Sequence, residues 1–236
     1  MDKGIGNVTR RLACLSMILV IWIIVGGPFN TYYLIWNLIL AWIPMIFALV
    51  FKKNIGKEPS RGRNIIVLFS SLMWLFFFPN AVYMITDYIH LSNDIFYYSN
   101  SDYTSYLGKR KNIYNLDSLP WNNFFSISFA VFLGCALSVL SLHIFHTYIE
   151  KKRGKRIGRI FVIVVHLLSG YAIYLGRFIR FNSWDVIFNP LSLLKFLFLN
   201  INGVAITFTL YFFLLGLFIY GIFYLFIYIG KTDGKH

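Results

Sequence analysis

Charge is scarce in this chain. Only 13% of its 236 residues are Asp, Glu, Lys or Arg, and nine of those are acidic. A soluble domain carries about a quarter charged residues, so a water-soluble globular fold is excluded at the outset. Cysteine is nearly absent as well. Cys14 and Cys135 both fall inside apolar runs, neither stands at a metal-type spacing, and they read as small buried hydrophobes. Walker, dinucleotide-binding, His-Glu-x-x-His and Gly-x-Ser-x-Gly patterns are missing, which sets aside soluble-type ATP hydrolysis and serine hydrolase chemistry. A cleavable signal is not expected. Leu12 to Val25 has basic flanks, but Gly26-Gly27-Pro28-Phe29 is a poor cleavage site.

What the chain has instead is apolar length. It is 58% hydrophobic, with a mean hydropathy of +0.65. Its uncharged runs reach the roughly 20 residues that cross a bilayer core of about 30 Å. The expected fold is all-α, a polytopic membrane helical bundle forming one integral membrane domain over residues 1–236. Six spans are expected at about 12–25, 31–51, 65–78, 124–149, 160–176 and 203–229. The basic stretches 52–64 and 150–159 are expected as loops, as is the polar stretch 92–123, an outer loop rich in Asn, Ser, Asp and Tyr. An interfacial helix is expected at 190–199, with Asn200 and Asn202 marking the join to the sixth span. Asn37, alone in an apolar run, is expected to hydrogen-bond a neighbouring helix.

The net charge of +13 is distributed as a membrane topology would have it. Of the 22 Lys and Arg, 16 lie in Met1–Arg11, Lys52–Arg63, Lys151–Arg159 and Lys231–His236. Placing those segments in the cytoplasm satisfies the positive-inside rule at every loop and puts both termini inside a cell membrane. The partner implied is the lipid bilayer with its anionic heads. A nucleic-acid partner is not expected, because no motif or soluble domain accompanies the charge.

The most informative stretch is Phe78-Pro79-Asn80-Ala81-Val82-Tyr83-Met84-Ile85-Thr86-Asp87-Tyr88-Ile89-His90-Leu91. Pro79 lacks an N–H and its ring crowds the preceding turn, which predicts a helix break there. Beyond it, α-helical spacing puts Tyr83, Asp87, His90 and Asp94 on one stripe, with Val82, Ile85 and Ile89 opposite. Ionisable groups at a membrane border usually mark a site.

That stretch resembles a signature of a bacterial multi-pass membrane family catalogued as a domain of unknown function. The matching residues are Phe78-Pro79-Asn80-Ala81-x-Tyr83-x-x-Thr86-Asp87-x-x-His90-Leu91. A second matching block is Gly176-Arg177-Phe178-x-Arg180-x-Asn182-Ser183-Trp184-Asp185, followed by Asn189-Pro190. Ser141-Leu142 fits a weaker third block. The resemblance covers roughly residues 65–190 and implies a helical membrane protein, with no reaction attached. The family pattern often puts an acidic residue at the start of the fourth span, where this chain has Trp121-Asn122-Asn123.

Both signature blocks end on the outer side in this topology, and their polar residues admit several chemistries. Asp87, His90 and Asp185 are the types that ligate a metal. His90, oriented by Asp87, can act as a general base, making these two the catalytic candidates. Arg177 and Arg180 can hold a phosphate, with Asn80, Tyr83, Asn182 and Asp185 as further binding candidates. The same charges can equally pair as a lock between helix ends. On the inner side, His143, His146 and His166 lie at comparable depth, and convergence there would suit a metal or haem. No cofactor follows from any of this. The leading expectation is an outward-facing polar site engaging an anionic lipid or envelope-precursor head group. A small membrane transporter and a non-catalytic subunit stabilising a membrane complex are the alternatives. Mid-span positions are nearly all apolar, which counts against transport.

Overall fold

Apolar runs of this length become helices because, in lipid, a backbone has to satisfy its own hydrogen bonds. A computed structural model describes residues 3–27, 31–58, 60–101, 103, 111–179 and 201–233, without the side chains of residues 3 and 227–233. Six long helices follow in order: α1 (Lys3–Gly26), α2 (Tyr33–Asn54), α3 (Arg61–Tyr83), α4 (Ser118–Arg153), α5 (Lys155–Tyr174) and α6 (Gly203–Asp233). All six are long and apolar enough to cross a membrane. The protein is an all-α, multi-pass membrane protein.

The most buried helix is α4, and α1, α2, α3 and α5 all pack on it. Its buried face is rich in small residues, among them Ser126, Ala130, Gly134, Ser138 and Ser141, which let neighbouring backbones approach closely. On α2, Leu34, Leu38, Ala41 and Met45 recur at helical spacing and are almost wholly buried, so one stripe of α2 faces the core. Phe145 of α4 stacks on Phe51 of α2 at 4.2 Å and on Trp74 of α3 at 4.1 Å between centroids, tying three helices together. The outer faces of α1 and α6 remain exposed and apolar, as lipid contact requires. Cys14 belongs to that exposed surface and is not buried as expected, whereas Cys135 is buried.

Several boundaries differ from the sequence expectation. The break expected at Pro79 is absent, for α3 runs through the proline to Tyr83. Trp74, Phe77 and Phe78 before it and Ala81 and Val82 after it are all buried, so tertiary packing grips both sides of the missing hydrogen bond. The winding changes later, at Met84, where a 3₁₀ helix runs to Asn93. This shifts the expected faces, because a 3₁₀ helix repeats every three residues. Ile89 is exposed, whereas Val82, meant to share its face, is buried.

Two expected loops also carry structure. In the polar stretch 92–123, β1 (Tyr97–Ser99) pairs antiparallel with β2 (Asn112–Tyr114). Buried Asn115 pins this hairpin, donating to the Ile95 carbonyl at 2.8 Å and accepting from the Asp117 N–H at 2.9 Å. The basic stretch 150–159 is helical on both sides of Gly154, whose φ of 90° lets the chain reverse in one residue. The expected interfacial helix at 190–199 lies outside the described residues. Asn202 does mark a start: its side chain accepts from the Ala205 N–H at 2.9 Å and caps α6.

Candidate functional site

Three elements bring polar side chains to one end of the bundle, opposite Gly154 and the α2–α3 turn. They are the first two turns of α2, the end of α3 with its 3₁₀ continuation, and a π-helical turn, Leu175–Ile179, that follows α5. Asp87 is only 1% exposed, a carboxylate turned into the bundle. Asn37 of α2 donates its Nδ2–H to Oδ2 of Asp87 at 2.8 Å. This is the interhelical bond expected of Asn37, and its partner is a site carboxylate. The other oxygen, Oδ1, has no hydrogen-bond partner and faces Nη1 of Arg177 at 3.8 Å, an ion pair too long to be a hydrogen bond.

Arg177 comes from the centre of the π-helical turn, and its side chain is 14% exposed. Its Nη1 donates to the Tyr83 hydroxyl at 3.2 Å, and the guanidinium lies 5.8 Å from the centre of the Tyr83 ring. Nη2 stands 3.5 Å from Nε2 of His90, at the outer limit of a hydrogen bond. Arginine has only donors, so this geometry makes Nε2 the acceptor and leaves the imidazole proton on Nδ1. The Tyr33 ring covers His90 with centroids 4.5 Å apart, and the Tyr33 hydroxyl is buried without a hydrogen-bond partner.

The structure thus unites four predicted residues: Tyr83, Asp87, His90 and Arg177. Asn80 stands half-buried one helical turn before Tyr83. Arg180, Asn182 and Asp185 lie outside the described residues. The expected orientation of His90 by Asp87 is not found. The two side chains are one 3₁₀ turn apart, about 6 Å along the axis, and they meet through Arg177, which contacts both, rather than directly. As a general base, His90 would first have to release Nε2 from Arg177. Asp94 leaves the predicted stripe and instead accepts from Asn123 Nδ2 at 2.9 and 3.1 Å. Tyr33 and Asn37 were missed as site residues. A lone amide in an apolar span signals an interhelical bond, but nothing in the sequence names its partner.

Among the described residues, no three His, Cys, Asp or Glu converge as a metal site. The third expected ligand, Asp185, lies outside them, and the Arg177 guanidinium stands beside both Asp87 and His90. Towards the opposite end of the bundle, Nδ1 of His146 shares a 2.7 Å hydrogen bond with the Tyr220 hydroxyl, and His166 meets the same ring at 5.9 Å between centroids. Two of the three histidines thus meet around one tyrosine. His143 lies beside Tyr224, at 6.4 Å between centroids.

Neither the curated proteins nor the solved structures provide a match to this chain. The sequence profile of a family described as proteins of unknown function matches residues 36–219, from the second helix into the sixth and across both signature blocks. The chain belongs to that family, DUF1361.

Proposed function

We propose that this protein presents an outward-facing polar site that engages the anionic group of a lipid or envelope-precursor head group. The orientation is supported by the basic residues that flank α1, α2, α4 and α5 at the opposite end, since the positive-inside rule favours a cytoplasmic side for them and for both termini. The site then lies at head-group depth on the outer face of the cell membrane.

The observation that carries this reading is the loose seating of Arg177. A guanidinium that serves only as a lock settles into a carboxylate bidentately, at about 2.7–2.9 Å. Among the described residues the nearest carboxylate contact is 3.8 Å, and the remaining contacts are a tyrosine hydroxyl and the edge of an imidazole. The fork that suits a phosphate is still largely unspent.

Purified protein in detergent tests the reading. Phosphatidylethanolamine and phosphatidylglycerol are added, with diacylglycerol as the control lacking a head group, and binding is followed by native mass spectrometry. Arg177→Gln is expected to weaken phospholipid binding about tenfold or more, the value of a hydrogen bond to a charged group. Diacylglycerol should bind both proteins alike. Equal phospholipid binding by the variant, together with a lower melting point without lipid, would overturn the reading and leave Arg177 as a lock for Asp87.

A further inference from the structure

We infer that the head group taken by this site is a phosphate that carries its own hydrogen-bond-donating cation, the phosphoethanolamine class. Its phosphate would lie on Arg177 and its ammonium on Oδ1 of Asp87. The inference rests on the reading above and names the ligand class of the same site.

Two unmet groups point to it. Oδ1 of Asp87 and the hydroxyl of Tyr33 are both buried, and neither has a hydrogen-bond partner among the described residues. A buried carboxylate oxygen without a donor is costly, and a ligand N–H satisfies it directly. The Tyr33 hydroxyl can accept a second N–H from the same ammonium or donate to the phosphate.

Charge balance points the same way. With His90 uncharged, Arg177 and the buried Asp87 offset each other in the described site, and Asp94 adds a further negative charge near Tyr33. Adding a phosphate alone would set an uncompensated anion beside Asp87 in a poorly solvated place. A zwitterion adds both signs and keeps the balance. The ligand ammonium also takes over as counter-charge to Asp87 when Arg177 turns to the phosphate. Only 3.8 Å separates Nη1 of Arg177 from Oδ1 of Asp87, so the two charges of the ligand have to be neighbours too. A two-carbon bridge makes them so.

Three bilayer lipids separate the elements of the inference. Phosphatidylethanolamine has a cation with N–H donors, phosphatidylcholine a cation without them, and phosphatidylglycerol hydroxyl donors without a cation. In nanodiscs or by native mass spectrometry, phosphatidylethanolamine is expected to bind about tenfold tighter than either of the others. Stepwise N-methylation should weaken binding to the unaltered protein as donors are lost, a readout that needs no variant. Asp87→Asn should bring phosphatidylethanolamine and phosphatidylglycerol within about twofold of each other, because the carboxylate no longer selects a cation. If phosphatidylglycerol binds as tightly as phosphatidylethanolamine while still depending on Arg177, this inference falls and the anionic-group reading stands. If no phospholipid binding depends on Arg177, both fall.

Discussion

The bond from Asn37 to Asp87 offers the sharpest test of how the site is held. Asn37→Ala removes a 2.8 Å donor from a carboxylate that is 1% exposed. Among the described residues its other oxygen has only the 3.8 Å contact with Arg177. Water cannot easily replace the lost amide at a place this closed. A hydrogen bond to a charged group contributes about 1.5–3 kcal/mol. For a chain of this length about 2–4 °C of melting midpoint corresponds to 1 kcal/mol, so the variant should melt about 3–12 °C lower. In a Cys14→Ser background, which removes the exposed thiol, thermal unfolding in mild detergent followed with a thiol-reactive dye at buried Cys135 reads this directly. Asn37→Asp should do worse, since it sets two carboxylates face to face. The double variant Asn37→Ala, Asp87→Ala should recover part of the loss, because an absent carboxylate needs no donor. A melting point for Asn37→Ala within about 1 °C of the parent would refute the reasoning and mean that Asp87 does not depend on Asn37.

Two further outcomes are expected. A β-carbon at Gly134 would meet the Ala81 carbonyl oxygen at 2.8 Å and Sδ of Met84 at 2.7 Å. The thioether can swing aside but the carbonyl cannot, so Gly134→Ala should cost about 1–3 kcal/mol in the same melting assay. In a background lacking Cys14 and Cys135, a cysteine at Ser101 should react with an impermeant maleimide in intact cells. One at Lys155 should react only after lysis, and the reverse pattern would turn the site toward the cytoplasm.

The scaffold was largely legible because uncharged length and helical periodicity are properties of contiguous sequence. The six helices follow from them, and Asn37 was recognisable as a group that needed a partner. Other features depend on contacts that periodicity does not carry. Pro79 reads as a break in isolation, yet packing of Phe78 and Ala81 on either side carries α3 past it. The polar stretch 92–123 reads as unstructured because its strands are three residues each and every residue in them is exposed. Asp87 and His90 were selected on α-helical spacing. They do share the site, but through 3₁₀ geometry that no local signal announces. Arg177 was found by the signature block, while Tyr33, with no signal of its own, was not.

Regular helix supplies this molecule with walls, and the site forms where regular winding fails. The 3₁₀ segment runs for 10 residues, well beyond the three or four usual for that geometry. The turn that carries Arg177 is π-helical. Both windings have poorer hydrogen bonds than an α-helix and persist only where tertiary contacts hold them. For the 3₁₀ segment those contacts are identifiable: burial of Met84, Thr86 and Asp87, close approach of Gly134, and the Asn37 amide. The energy that shapes the site therefore lies in links between helices rather than within them. A ligand that takes Arg177 away from His90 and Asp87 has only long contacts of 3.5 and 3.8 Å to break there. The same movement frees Nε2 of His90 to act as an acceptor. Arg177 thus links the counter-charge of Asp87 to the lone pair of His90, and in the proposed reading it is also the fork that a phosphate would take.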